Sequence, residues 1–207
     1  CSFPAIASLS MYFVCTKLDG AFGNPVMYFV VAMLLGLVMG AVNGFVVAKY
    51  KFPAMIVTLG TSSIFIGIMQ GLLGSSEYPL TSVLYKLGQS SIYTGTNTET
   101  GFTSNLPVHF IFAVVLVALG WFILNKTMLG RGIYAVGGDE VAASRAGFNV
   151  FWTRMFIFCF SRMMAGFIGV TRASMMLAVN PNNMIGMEMD VIAACVLGGV
   201  SLVGGKG

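Results

Sequence analysis

The chain has 207 residues, of which 57% are hydrophobic and 9% are charged, and its mean hydropathy is +0.88. Because about one quarter of the residues of an ordinary soluble domain are charged, this composition excludes a soluble enzyme and a disordered protein. The net charge of +4 comes from 11 basic and 7 acidic residues spread along the chain, so no basic cluster indicates a nucleic-acid partner. The sequence therefore predicts an integral membrane protein.

Four apolar segments are long enough to cross a bilayer as helices. A hydrocarbon core of about 30 Å requires about 20 apolar residues, and a helix pairs every backbone N–H and C=O inside the lipid. The four segments are 25–48, 53–74, 106–125 and 152–171, and two shorter ones, 1–16 and 191–205, flank them. We predict an all-α, polytopic transmembrane helix bundle with about six spans or part-spans. We also expect residues 1–207 to be a single transmembrane domain that is truncated at both ends.

The basic residues of the connections predict the orientation. The connection that follows 25–48 contains Lys49 and Lys51, and the stretch 126–154 contains four further basic residues. The connections on the opposite side contain fewer basic residues, namely Lys17, Lys86 and Arg172. Since basic residues accumulate in cytoplasmic loops, we predict a cytoplasmic loop at 126–153 and an extracytoplasmic loop at 75–105.

Small residues recur four positions apart in three of the spans. Such spacing lets helix backbones approach closely in lipid, where hydrophobic collapse does not drive association. The residues concerned are Gly36, Gly40 and Gly44, then Gly67 and Gly71, then Ala165 and Gly169. General helix packing is the favoured interpretation over a specific dimer face.

The cytoplasmic loop contains the pattern of a short capped helix. Gly138 and Asp139 can start it, because Asp139 is a favourable N-cap and Glu140 places negative charge near the helix N-terminus. Gly147 is a favourable residue just beyond the C-terminus. One side of this helix of about two turns carries only small residues, Ala142, Ala143 and Ala146. Such a side suits a cleft on a partner, while a plain surface helix between two spans is the alternative.

Three blocks of the sequence resemble the permeases of ABC importers. The run Glu140-x-Ala142-Ala143-x-x-x-Gly147 resembles their coupling-loop motif, and residues 129–149 are similar to the ribose-type sugar permeases in particular. Pro53-Ala54-x-Ile56-x-Thr58-Leu59-Gly60 and the glycine-rich block 190–207 are also similar to that family. The blocks occur in the expected order, and the resemblance covers most of the chain.

The resemblance implies a permease subunit of a sugar importer in the inner membrane of a bacterium. It implies three protein partners: a separate ATP-binding subunit, an extracytoplasmic sugar-binding protein and a second permease copy. The chain itself would then be no enzyme and would bind no cofactor. The residues implied to couple it to the ATP-binding subunit are Gly138, Asp139, Glu140, Ala142, Ala143 and Gly147.

Three charged residues are candidates for the translocation pathway. Arg162 departs from the family pattern, in which a small residue is usual, and a charge in mid-membrane suggests function. It can face the pathway, pair with an acid from another segment or reach toward an interface. Glu188 and Asp190 start the last apolar segment, where carboxylates can bind sugar hydroxyls or cap the helix. Capping is the favoured interpretation for both.

Two other functions compete with the importer. An ion-driven secondary transporter places ionisable residues at mid-membrane, and Arg162 is the clear candidate for such a residue. A membrane-embedded enzyme needs a catalytic constellation, such as paired acids or a histidine cluster, which the sequence does not contain. One histidine and four scattered cysteines predict no metal site.

Overall fold

The computed structural model describes residues 2–18, 20–21, 23–74, 76–96 and 103–199. Its helices are α1 (Phe3–Lys17), α2 (Pro25–Tyr50), α3 (Ala54–Ile68), α4 (Ser82–Gln89), α5 (His109–Lys126), α6 (Met128–Gly138), α7 (Glu140–Arg145), α8 (Val150–Met176) and α9 (Met187–Leu197). A π-helical turn, Met69–Leu73, extends α3. The strands are β1 (Tyr78–Pro79), β2 (Ser91–Thr96), β3 (Thr103–Pro107) and β4 (Ala178–Val179). The predicted all-α helix bundle is confirmed.

Within the described residues, four helices are long and apolar enough to cross a bilayer: α2, α3 with its π-helical turn, α5 and α8. They coincide with the four long apolar segments of the sequence. The short segment 1–16 forms α1, a core helix in which ten of fifteen residues are buried, and which contacts α2, α3 and α8. The last segment forms α9 up to Leu197, and residues 200–207, including the end of the glycine-rich block, lie outside the described part of the chain.

The most extensive helix contact joins α2 and α8, and it depends on glycine. A Cβ atom added to Gly40 would lie 2.7 Å from Phe158 O and 2.7 Å from Arg162 Cβ. Gly36 meets the Arg162 backbone still more closely, and Gly166 of α8 meets the Ala32 backbone. The predicted close packing is therefore confirmed for α2. For α3 it is not, because added Cβ atoms at Gly67 and Gly71 would meet no described atom within 4 Å.

The end of the bundle at the N-terminus of α2 contains the strands and α4. β1 pairs antiparallel with β4, and β2 pairs antiparallel with β3 in a hairpin. The Ser174 hydroxyl of α8 donates to Leu84 O of α4 at 3.0 Å, which fastens α4 to the bundle. The predicted loop 75–105 therefore contains regular structure, which its Ser-, Thr- and Gly-rich composition did not indicate.

Candidate functional site

The short helix α7 forms because both of its ends are capped. The Asp139 carboxylate accepts hydrogen bonds from the backbone N–H groups of Val141 at 2.8 Å and Ala142 at 3.0 Å. At the other end Gly147 has a φ of +89°, a left-handed conformation that L side chains rarely adopt, and its N–H donates to Ser144 O. The predicted capped helix is confirmed, with Asp139 as its N-cap and Gly147 just beyond its end.

The chain around α7 is more helical than predicted. Gly138 does not start α7 but is the last residue of α6, which occupies the first part of the predicted loop 126–153. The Thr127 side chain accepts from Gly130 N at 3.2 Å and so caps α6, and Asn149 caps α8 in the same way through Trp152 N. The loop therefore consists of two capped helices and the first turn of α8, which is a stiffer unit than an irregular loop.

Glu140 joins the two connections that the charge pattern placed on the same side. Its Oε2 lies 2.7 Å from Arg154 Nη2, at the start of α8, and its Oε1 lies 3.4 Å from Lys51 Nζ, at the end of α2. Neither base is among the predicted site residues. The charge pattern indicates the pairing only in part, because it places both connections on one side of the membrane.

The coupling residues predicted on α7 do not share one surface. Ala143 is only 3% exposed, so it faces the body of the protein. Ala142 and Ala146 are exposed, and so is Val141, which is 59% exposed and is not among the predicted coupling residues. Beside α7 lies a cleft of about 590 Å³, whose lining includes Ala48, Lys51, Glu140, Ser144 and Phe151. The exposed side of α7 and this cleft form a surface on which another protein can dock.

Arg162 is buried between α8 and α2, with 7% of its surface exposed. Its guanidinium lies 5.8 Å above the Phe158 ring, and its Nη1 donates to Ser161 Oγ at 3.1 Å. Its Nε has no hydrogen-bond partner among the described residues. Both ion pairs found among the described residues belong to Glu140 rather than to Arg162.

Glu188 and Asp190 lie in the first turn of α9. Glu188 Oε2 accepts from the backbone N–H of Gly186 at 3.0 Å, as the favoured capping interpretation expects. Before α9, Asn182 Oδ1 accepts from Gln70 of the π-helical turn at 2.9 Å, and Asn180 donates to Glu77. Amide and carboxylate groups of these four residues therefore meet beside β1 and β4.

Comparisons with a family model and with known relatives agree on one family of transport permeases. A family model described as branched-chain amino acid transport system, permease component, matches residues 2–205. The chain is similar to the ribose import permease protein of Haemophilus influenzae, with 34% identity over 86% of this chain and 53% of that protein. It is also similar to the autoinducer 2 import system permease protein of Klebsiella pneumoniae, with 36% identity over 84% of this chain and 47% of that protein.

A third relative is the L-arabinose transport system permease protein of Escherichia coli, with 37% identity over 80% of this chain and 48% of that protein. The chain thus spans about half the length of the curated relatives it matches. No solved structure matches it.

Proposed function

We propose that this chain, which belongs to the branched-chain amino acid transport system permease family, is the membrane-spanning permease subunit of an ATP-driven sugar importer. Family membership confirms the resemblance seen in the three sequence blocks, and the chain is accordingly a multi-pass protein of the bacterial inner membrane. A ribose-type sugar is the proposed solute, because relatives named for ribose and L-arabinose import are similar over most of this chain. On this proposal ATP is hydrolysed by a separate subunit.

The observation that carries the proposal is α7. It is a short helix with capped ends, it lies where the ends of α2 and α8 meet, and one of its sides is exposed. A coupling element must bias two states of the pathway, and it can do so only if force on it reaches the spanning helices. We propose that the ATP-binding subunit docks on this side of α7, and that Gly138, Asp139, Glu140, Ala142, Ala143 and Gly147 build the coupling site.

The opposite end of the bundle is the proposed entry for the solute. An extracytoplasmic sugar-binding protein would deliver the sugar there, and a second permease copy would complete the pathway. The groups proposed to meet the solute on its way are Arg162, Glu188 and Asp190. Arg162 supports this, because its Nε has no hydrogen-bond partner in the part of the chain that the structure describes. The hydrogen bond of Glu188 to Gly186 instead favours a capping role for Glu188.

The test is co-purification of the full-length permease from native membranes, with mass spectrometry of its partners. We expect an ATP-binding subunit in the wild-type complex and its loss in Ala142→Arg, which places a large charge on the exposed side of α7. Ala21→Arg is the matched control, because Ala21 is an exposed alanine at the opposite end of the bundle. Recovery of the wild-type permease without an ATP-binding subunit, even after cross-linking, would contradict the proposal.

The family assignment favours this function over an ion-driven secondary transporter. The two differ in energy source, so uptake in intact cells separates them. We expect uptake to stop when ATP is depleted. Uptake that survives ATP depletion but collapses with an uncoupler would favour the ion-driven alternative and direct attention to Arg162.

A further inference from the structure

The two carboxylate oxygens of Glu140 contact the ends of two different membrane-spanning helices. Oε2 pairs with Arg154 at the N-terminus of α8, and Oε1 pairs with Lys51 just beyond the C-terminus of α2. We infer that Glu140 is a positioning residue that fastens α7 to α2 and α8 together, and that its exposed neighbours make the contact with the ATP-binding subunit. The inference rests on the proposed function and assigns a role within its coupling site.

The geometry disfavours a direct contact between Glu140 and a partner. Both carboxylate oxygens are already engaged, and the side chain is 30% exposed. The next residue, Val141, is 59% exposed, and Ala142 also faces outward. A partner would have to break a 2.7 Å charge-assisted hydrogen bond to reach the Glu140 carboxylate, whereas the residues beside it are free of such bonds through their side chains.

The backbone of Lys51 supports the same role. Lys51 has a φ of +53°, and its N–H donates to Val47 O at 3.1 Å as the C-cap of α2. Glycine or asparagine is the usual residue in this left-handed conformation, because a larger side chain is strained there. In this strained position the ammonium group of Lys51 reaches Glu140. A glycine would relieve the strain but would have no side chain to make this ion pair.

The contacts of α7 explain why the ion pairs matter. Ala143 is buried, and the N–H of Phe148 donates to Ala143 O at 3.1 Å, so α7 is packed onto the bundle on the side of α6 and α8. Toward α2 lies the cleft of about 590 Å³, at whose wall Lys51 and Glu140 meet. The ion pair therefore ties α7 to a helix against which it is not closely packed. Without it, α7 would be held to the bundle through α6 and α8 alone.

Hydrogen exchange of the full-length permease, purified without its partners, tests the inference directly. We expect the amides of α7 to exchange about fivefold faster in Glu140→Gln and in Arg154→Gln, as loss of partly exposed ion pairs implies. Lys51→Gly should show a smaller increase, although glycine relieves the backbone strain at this position. Lys49→Gln is the matched control, since it removes the same charge two residues away and Lys49 contacts the rings of Phe45 and Tyr50.

The complex with the ATP-binding subunit provides the second measurement. We expect Glu140→Gln to retain that subunit but to lose about tenfold in transport per ATP hydrolysed, measured with radiolabelled ribose in proteoliposomes. The double variant Glu140→Gln/Arg154→Gln should lose no more transport per ATP hydrolysed than the more severely affected single variant. The effects of two substitutions that break the same ion pair are not additive. If Glu140→Gln fails to fold, Lys51→Gly takes its place in the test. The Lys51 side chain is 72% exposed, so its removal does not disturb the core.

Two results would overturn the inference. One is unchanged α7 exchange in Glu140→Gln, and the other is loss of the ATP-binding subunit from this variant in proportion to its loss of transport. The second would mean that Glu140 contacts the partner directly, while the proposed function would stand. A wild-type permease that never binds an ATP-binding subunit would instead contradict the proposed function, and the exchange measurement would still decide the role of Glu140 within the permease.

Discussion

Replacing Gly40 by alanine should separate the two helices at the centre of the bundle. The added Cβ would lie 2.7 Å from the backbone oxygen of Phe158 and 2.7 Å from Arg162 Cβ, whereas ordinary contacts begin at 3.4 Å. Because one of these neighbours is backbone, side-chain rotation cannot relieve the clash. We expect α2 and α8 to move apart locally by about 0.7 Å, the shortfall between these two distances.

The cost follows from the packing that this movement disturbs. A gap of about 0.5–1 Å forfeits a quarter to a half of the dispersion energy of the contacts it opens. Since the α2–α8 contact is the most extensive of the fold, we expect Gly40→Ala to destabilise the permease by about 2 kcal/mol, within the usual range for an overpacked core. Gly67→Ala is the control, because its Cβ would meet no described atom within 4 Å. Its better helix propensity should leave stability unchanged or raise it by up to about 1 kcal/mol.

The assay is thermal unfolding of the full-length permease in detergent, followed by the loss of its helical circular dichroism. A loss of about 2 kcal/mol lowers the midpoint of a protein of about 150–250 residues by about 4–8 °C, and the shift is proportionally smaller in a longer chain. Equal midpoints for Gly40→Ala and Gly67→Ala would refute the reasoning, since it depends on the difference in space at the two glycines. The same result would mean that α2 and α8 are not held at the distance described.

Two further predictions concern α7 and α4. Gly147→Ala should destabilise α7 by about 1–2 kcal/mol, because a side chain is strained at a φ of +89°, and Gly147→Asn should have a smaller effect. The measurements are the hydrogen exchange of α7, which should be faster, and the retention of the ATP-binding subunit, which should be weaker. Wild-type values in both would contradict the prediction. Ser174→Ala should destabilise the permease by about 1 kcal/mol, because it removes the hydrogen bond that joins α8 to Leu84 O of α4. Proteolysis of α4 should then accelerate, while Ser63→Ala, which removes an exposed bond within its own helix, should have no such effect.

Much of the site could be predicted from the sequence because its formation is local. A helix N-cap and a left-handed glycine act within a few residues of the helix they bound, so Asp139 and Gly147 could be identified from residue type and spacing. The prediction that Gly138 starts α7 is wrong by a small margin, because Gly138 is the last residue of α6. The burial of Ala143 could not be predicted in the same way, because it depends on how α7 is rotated against α6 and α8.

The sequence by itself determined the membrane-spanning class, the positions of the four long spans and the meeting of the two basic connections at the same end of the bundle. These depend on the length and charge of continuous segments, because the thickness of the bilayer sets the length of a span and basic residues accumulate in the cytoplasmic connections. Only the tertiary structure decided that Gly40 is in close contact while Gly67 is not, and that Glu140 pairs with Lys51 and Arg154. Those contacts join residues far apart in the chain, and they depend on the relative rotation and distance of helices, which spacing within one helix does not specify.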